Sequence, residues 1–118
     1  PRPLPWGDAR DAWNRASCDR QEDGPYPAAW LPLGRTPEGV FDLGGNAAEF
    51  CAALYAPDAY EHSKAIDPCG PESGESAFRV LRGGAYRHYR PFVFASARQA
   101  VPGLLRAPEL GFRCAGSP

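Results

Sequence analysis

The sequence predicts a loop-rich α+β domain with short antiparallel strands and little regular secondary structure. The chain has 13 glycines and 14 prolines among 118 residues, interleaved with 3 Trp, 5 Tyr and 6 Phe. This interleaving favours a compact fold over disorder. The apolar runs are short and the connections between them are long, which suits neither a β-sandwich nor a doubly wound sheet. We therefore treat residues 1–118 as one domain at most.

The first third of the chain is expected to be largely irregular. The proline-rich residues 1–12 predict an extended segment, and Asp11 to Cys18 predict a short helical turn with Asp11 as its N-cap. Residues 19–37 are rich in proline and glycine and predict a loop. Three apolar side chains of this loop are expected to anchor it in the core: Trp30, Leu31 and Leu33.

The remainder alternates between short apolar runs and loops. Residues 41–55 are ambiguous, because their alanines favour a helix on propensity alone. Residues 56–77 contain several prolines and glycines and predict a long surface loop. Three later strands are predicted, at Arg79 to Arg82, Ala95 to Gln99 and Leu110 to Ala115.

Charge is distributed unevenly along the chain. Residues 1–78 carry 6 basic and 13 acidic side chains, whereas residues 79–118 carry 7 arginines and one acid, Glu109. Neutralisation of one half by the other is favoured over a basic binding surface. The net charge of −1 and the scarcity of lysine argue against nucleic-acid binding. No stretch approaches the ~20 apolar residues of a membrane span.

The cysteines give no metal motif. Cys18, Cys51, Cys69 and Cys114 allow three pairings if they are oxidised. None of them forms a C-x-x-C pair, and His62 and His88 lie at no zinc-like spacing, so a zinc site is not predicted. Cys51 lies in an apolar run and predicts a buried thiol. The cellular compartment stays undecided, with the cytoplasm as the default.

Three motifs identify a family. They read FDLGGNAAEF at residues 41–50, RVLRGGAY at 79–86 and GFR at 111–113. In order and spacing the chain resembles the formylglycine-generating-enzyme/sulfatase-modifying family. The resemblance implies the C-type-lectin-like fold and a strand from about Glu49 onward. It also implies that the chain is the C-terminal portion of one such domain, with the N-terminal half as its first partner.

The glycine-rich motif supplies ligands that calcium prefers. Asp42 and Glu49 are two carboxylates seven residues apart, and the bend between them can aim the Gly45 and Ala47 carbonyls at the same point. In the resembled family these four positions form a calcium site, and Asn46 braces the bend. The alternative from the residues alone is a capped turn, in which Asp42 and Asn46 bond backbone amides without an ion.

The resemblance implies a second, less complete calcium site. Glu22-Asp23-Gly24 matches the corresponding family step, which gives Asp23 as a carboxylate ligand and Pro25 as a carbonyl ligand. The upstream asparagine of the family falls on Ser17, whose hydroxyl is a weaker calcium ligand than an amide oxygen. One calcium site is therefore predicted at the bend, with this one as a second candidate.

The resemblance also raises the question of oxidase activity. Formylglycine-generating enzymes bind copper through two cysteines just after R-G-G-[SA]-[WY], and thiolate pairs are what Cu(I) prefers. Here residues 87–96 contain no cysteine, and His88 and approximately Val93 occupy the positions of the pair. We expect no copper and no sulfatase-modifying activity. The alternative is a divergent formylglycine-generating or sulfoxide-synthase-type oxidoreductase, with catalytic groups in the N-terminal half or a partner domain.

Residues 86–92 instead predict a binding surface for a protein or small-molecule ligand. They interleave aromatic and guanidinium groups, which dominate binding hot spots. Tyr86 and Phe94 are predicted to be core residues. The candidate ligand-binding residues are Arg87, His88, Tyr89, Arg90 and Phe92. The candidate structural residues are Asn46, Arg82, Gly83, Gly84, Arg98 and Arg113. The three arginines of that set are expected to pair with carboxylates of the acidic half and to pin the loops.

Overall fold

The computed structural model describes residues 2–8, 14–20, 24–61 and 77–116. Several sequence predictions fall outside these residues: the N-cap at Asp11, the calcium ligand Asp23 and most of the loop predicted at 56–77. Within the described part of the chain, none of the helices is long and apolar enough to span a bilayer.

The described residues form one four-stranded mixed sheet. Its strands are β1 (Ala48–Leu54), β2 (Phe78–Arg82), β3 (Gln99–Pro102) and β4 (Leu110–Gly111), in the spatial order β3-β2-β1-β4. β2 pairs antiparallel with both β1 and β3, whereas β4 runs parallel to β1. Two 3₁₀ helices span Pro32–Gly34 and Arg90–Val93. Few helices, short strands and long loops confirm the predicted fold class.

Tertiary packing decides the ambiguous alanine-rich segment. It is the strand β1, not a helix, because Ala48 is fully buried against Leu81 of β2 and the small side chain fits that position. A bulge separates the register pair Phe50–Leu81 from the pair Leu54–Arg79. Local helix propensity is a weak preference, and burial against a neighbouring strand overrides it.

The strand predicted at Ala95 to Gln99 is wrong in its position. The strand in this region is β3, which starts at Gln99. A 3₁₀ helix, Arg90–Val93, with Pro91 in its first turn, lies upstream. The Ala95 and Ala97 carbonyls accept hydrogen bonds from the Arg82 guanidinium at 2.9 and 3.2 Å. Carbonyls held by a side chain in this way are not available to a strand ladder. The strand predicted from Leu110 to Ala115 is also shorter, ending at Gly111.

Two small apolar clusters form the core. One cluster contains Leu4, Ala16, Cys18 and Val93, with Trp6 against it, and joins the N-terminal segment to the second 3₁₀ helix. The other contains Ala48, Leu81 and Ala85, with Phe50, Val101 and Leu110 against it, and lies on the sheet. Tyr86 is buried, as predicted.

Three predicted core side chains lie at the surface instead. Trp30, Leu33 and Phe94 are 61%, 55% and 39% exposed. Backbone contact anchors the 19–37 loop: a Cβ on Gly34 would lie 1.8 Å from the Arg15 carbonyl oxygen. Since the main chain makes this contact, the neighbouring Leu33 side chain can point to solvent.

The cysteines also differ from expectation. Cys51 is only partly buried, whereas Cys18 is the buried thiol and Cys114 is exposed. Burial raises the pKa of the Cys18 thiol above its ordinary value. These three cysteines, which are the ones the structure describes, are all free.

Candidate functional site

The glycine-rich motif folds into a tight bend in front of β1. Asp42, Gly45 and Asn46 have φ angles of +55°, +83° and +69°, the left-handed region that side chains resist. Gly45 lies against the Ser17 backbone, where a Cβ would come within 2.5 Å of the carbonyl oxygen. The bend therefore requires glycine at position 45 for both conformation and space.

Asn46 braces the bend with both its backbone and its side chain. Its amide Oδ1 accepts from the Tyr26 N–H at 2.8 Å, and its Nδ2 donates to the Tyr26 carbonyl at 3.2 Å. Its N–H donates to the Ser17 carbonyl at 2.7 Å, and its own carbonyl accepts from the Tyr86 N–H at 3.0 Å. One residue thus joins three segments that are distant in the sequence.

The two carboxylates of the bend have different partners. The Arg113 Nε donates to both Glu49 oxygens at 2.9 and 2.7 Å, and its Nη atoms donate to the Phe41 and Asp42 carbonyls at 2.8 and 3.1 Å. The Asp42 Oδ2 accepts from the Ala29 N–H at 2.8 Å. Hydrogen bonding to Glu49 raises the pKa of Arg113 above its ordinary value.

Three of the four predicted calcium ligands of the bend line one cavity, and Gly45 is not among the residues that line it. Asp42, Ala47 and Glu49 line one cavity of about 380 Å³ together with Asn46 and Arg113. Two carboxylates and one guanidinium leave this cavity with a net charge of −1, which attracts a cation. Among the described residues no three His, Cys, Asp or Glu side chains converge as metal ligands. A site here would therefore add main-chain carbonyls to the two carboxylates, a mixture that calcium accepts.

The capped turn, the alternative without an ion, is present in part. Asp42 and Asn46 both bond backbone amides, those of Ala29 and Tyr26. These amides belong to the loop beside the bend, so the side chains connect two segments. A carboxylate has two oxygens with several acceptor positions, and one hydrogen bond to Asp42 leaves capacity for a cation.

The second calcium candidate is only partly described. Ser17 is buried, and its hydroxyl accepts from the Arg20 guanidinium at 3.1 Å. Pro25 is exposed. Asp23, which would supply the carboxylate, lies outside the described residues.

The five candidate ligand-binding residues divide into outward and inward groups. Arg87 is exposed, and Tyr89 is 64% exposed. His88, Arg90 and Phe92 are partly buried, and the His88 and Phe92 rings lie 5.3 Å apart. The His88 Nδ1 atom is buried without a hydrogen-bond partner in the described part of the chain. Arg87 and Tyr89 are therefore the members of the set that a partner could reach.

This segment rests on a rigid base. The Asp19 and Arg20 N–H groups donate to the His88 and Tyr86 carbonyls at 2.8 and 2.7 Å. The Arg20 guanidinium lies 3.8 Å from the centre of the Tyr26 ring. Val93, near one position of the copper cysteines in the resembled enzymes, is 1% exposed in the apolar cluster with Cys18. The position of Val93 is therefore part of the apolar core.

The remaining structural residues hold loops through backbone oxygens. The Arg98 guanidinium donates to the Ala56 and Pro57 carbonyls at 3.0 and 2.7 Å. Arg82 also donates only to neutral oxygens among the described residues. The prediction that Arg82, Arg98 and Arg113 all pair with carboxylates is therefore confirmed only for Arg113 in the described part of the chain. Gly83 accepts from the Gly45 N–H at 2.7 Å, and Gly84 backs closely onto Phe92.

A second, larger cavity has no counterpart in the sequence predictions. It measures about 850 Å³ and extends from β1 to the N-terminal segment. The Arg2–Glu38 ion pair, at 2.8 Å, lies on its wall. Those two residues are 36 positions apart in irregular segments, so no local pattern could have indicated their contact.

Comparison with protein-family models identifies one family, and two kinds of relative match the sequence. The family described as sulfatase-modifying factor enzyme 1-like domain, FGE-sulfatase, matches residues 5–118. The chain is similar to the formylglycine-generating enzyme of Streptomyces coelicolor, with 32% identity over 131 residues, covering 97% of the chain and 40% of that enzyme. It is also similar to the serine/threonine-protein kinase Pkn1 of Chlamydia trachomatis, with 37% identity over 94 residues, covering 76% of the chain and 14% of the kinase.

A solved structure supports the fold. Treponema denticola variable protein 1 matches with a TM-score of 0.76 and 25% sequence identity, over 92% of the chain and 39% of that protein. The similarity confirms the C-type-lectin-like fold. The chain spans about 40% of the length of the Streptomyces enzyme and a smaller share of the kinase.

Proposed function

Because the chain belongs to the sulfatase-modifying factor enzyme 1-like (FGE-sulfatase) family, we propose that it is a non-catalytic, calcium-stabilised recognition module of a larger bacterial protein. Its ligand is a protein or a small molecule that contacts the segment carrying Arg87 and Tyr89. The observation that carries this proposal is the packing of residues 87–96. They contain no cysteine, and Val93 is enclosed in the apolar core.

Calcium would act through the bend. Asp42 and Glu49 would bind the ion through their carboxylates, and Gly45 and Ala47 through their carbonyls. When bound, calcium supplies charge neutralisation and a fixed bend geometry. The Asn46 carbonyl accepts from the Tyr86 N–H, so a firmer bend positions the base of the Arg87–Tyr89 surface. In this proposal the ion stabilises the recognition surface without contacting the ligand.

The similarity to Pkn1 supports a role inside a larger protein. The matching region makes up 14% of that kinase, so a related sequence occurs there as one part of a longer polypeptide.

Exposed tyrosine and arginine side chains on a segment held by backbone hydrogen bonds provide contact area at low entropic cost. Tyr89→Ala and Arg87→Ala should therefore weaken ligand binding without lowering stability.

We expect calcium to raise the midpoint of thermal unfolding by several degrees. A ligand at about 100 times its dissociation constant stabilises the native state by about 2.7 kcal/mol. The measurement compares the chain in millimolar calcium, in magnesium and in a chelator. Asp42→Asn should remove most of the calcium effect, whereas Glu61→Gln, a change at an exposed acid away from the bend, should preserve it. The same midpoint in all three conditions would contradict the calcium site.

The chain is expected to form no aldehyde on a cysteine-containing peptide. The chain should also fail to take Cu(I) from a competing chelator, because residues 87–96 hold no thiolate pair. The assay supplies Cu(I), oxygen and the peptide, with the Streptomyces coelicolor enzyme as the positive control. Aldehyde formation by the purified chain would overturn the non-catalytic assignment. It would favour the alternative, a divergent formylglycine-generating or sulfoxide-synthase-type oxidoreductase.

A further inference from the structure

The 850 Å³ cavity is a groove on β1 and β2 with apolar walls. Its polar lining includes Glu49, Cys51, Arg82 and Arg113. The larger apolar side chains along it are Leu4, Pro5, Val40, Leu43, Phe50 and Phe94. We propose that this groove binds a small amphipathic anion, with its negative group beside Arg82 and its apolar body against Leu43 and Phe94.

The charges of the groove select an anion. Three guanidinium groups and two carboxylates line it. Arg2 pairs with Glu38 and Arg113 pairs with Glu49, which leaves the charge of Arg82 uncompensated by the lining residues. Glu49 is the cross-strand neighbour of Arg82 in the sheet, but its carboxylate is bound by Arg113 instead.

Among the described residues, the hydrogen-bond partners of Arg82 hold its guanidinium in place without neutralising its charge. It donates to the carbonyls of Ala95 and Ala97 and to the Tyr60 hydroxyl, all of which are neutral oxygens. These bonds fix the direction of the guanidinium before any ligand arrives. A fixed cation at a partly desolvated surface attracts a carboxylate or sulfonate more strongly than the same cation does in water.

The shape of the groove fits a small ligand. Its volume of about 850 Å³ lies within the range of about 300–1,000 Å³ that is typical of small-molecule sites. Leu43 and Phe94 are 37% and 39% exposed, so an apolar body placed on them would remove hydrocarbon from water. None of residues 87–92 lines the groove. The proposal therefore stands apart from the recognition surface proposed above.

The test uses 8-anilino-1-naphthalenesulfonate as a fluorescent amphipathic anion. Titration of the folded chain should give saturable fluorescence with one site. Decanoate should displace the dye, and decylammonium, which has the same tail length and the opposite charge, should displace it at least fivefold more weakly. Thermal unfolding followed in parallel must stay cooperative at saturating dye.

Charge substitutions at Leu43 place the binding in the groove. Leu43→Glu should weaken dye and decanoate binding at least fivefold, and Leu43→Lys should maintain or strengthen it. The matched control is Leu33→Glu, because Leu33 is also an exposed leucine but does not line the groove. This control should bind like the wild-type chain.

Three results would overturn the proposal. They are equal displacement by decanoate and decylammonium, unchanged binding by Leu43→Glu, and dye fluorescence that appears only when cooperative unfolding is lost. Tyr89→Ala is the cross-check, because it should leave anion binding unchanged even if it abolishes recognition by the Arg87–Tyr89 surface. Failure of one proposal is therefore distinguishable from failure of the other.

Discussion

Replacing Gly45 by alanine should lower the free energy of unfolding by roughly 2–5 kcal/mol. A non-glycine residue in the left-handed region costs about 1–2 kcal/mol, and Gly45 has a φ of +83°. The added Cβ would also lie 2.5 Å from the Ser17 carbonyl oxygen, and overpacking of this kind costs about 1–3 kcal/mol. The loss is a large share of the roughly 5–15 kcal/mol that stabilises a domain, and urea unfolding measures it.

Gly39 provides the matched control for this substitution. Its φ is +94°, and a Cβ there would meet nothing within 4 Å. Gly39→Ala therefore carries the conformational cost without the steric overlap and should destabilise by only about 1–2 kcal/mol. Equal losses in the two variants would show that the contact with Ser17 relaxes freely, and that the bend does not depend on this close approach.

The motif residues were the predictable part of this fold. The glycine bend, the strand β1 after it and the Arg113 contact with the acidic half follow from the FDLGGNAAEF, RVLRGGAY and GFR motifs. Glu49 and Arg113 are 64 positions apart, so composition and periodicity alone would not have brought them together. The FDLGGNAAEF and GFR motifs predict the contact because they identify the two backbone segments that meet at the bend.

The apolar loop residues were poorly predicted for a physical reason. Hydrophobic type indicates which side chains gain from burial, but the 19–37 loop is anchored by the close approach of Gly34 to the Arg15 carbonyl. That contact leaves Leu33 exposed. The partners of Arg82 and Arg98 were missed similarly, because exposed backbone carbonyls in irregular segments are acceptors that no sequence pattern reveals.

Replacing Arg113 by methionine should destabilise the chain by about 1–3 kcal/mol. Removing one partner of a fully buried ion pair costs about 3–5 kcal/mol, and the Arg113 and Glu49 side chains are 36% and 23% exposed, so solvent screening reduces that figure. The methionine keeps an apolar stem while removing the bonds to Glu49, Phe41 and Asp42. The coupling free energy between Arg113 and Glu49 is measured by urea unfolding of three variants: Arg113→Met, Glu49→Gln and the double variant. The control is the same cycle on the exposed Arg2–Glu38 pair, for which no measurable coupling is expected.

The two single substitutions should not be equivalent. Glu49→Gln leaves Arg113 bonded to the Phe41 and Asp42 carbonyls, whereas Arg113→Met leaves Glu49 without its cation in a cavity that it shares with Asp42. The arginine variant should therefore lose more stability in a chelator. In millimolar calcium its loss should shrink, because an ion bound by the two carboxylates supplies the missing positive charge. The same loss with and without calcium would indicate that Arg113 alone neutralises the bend.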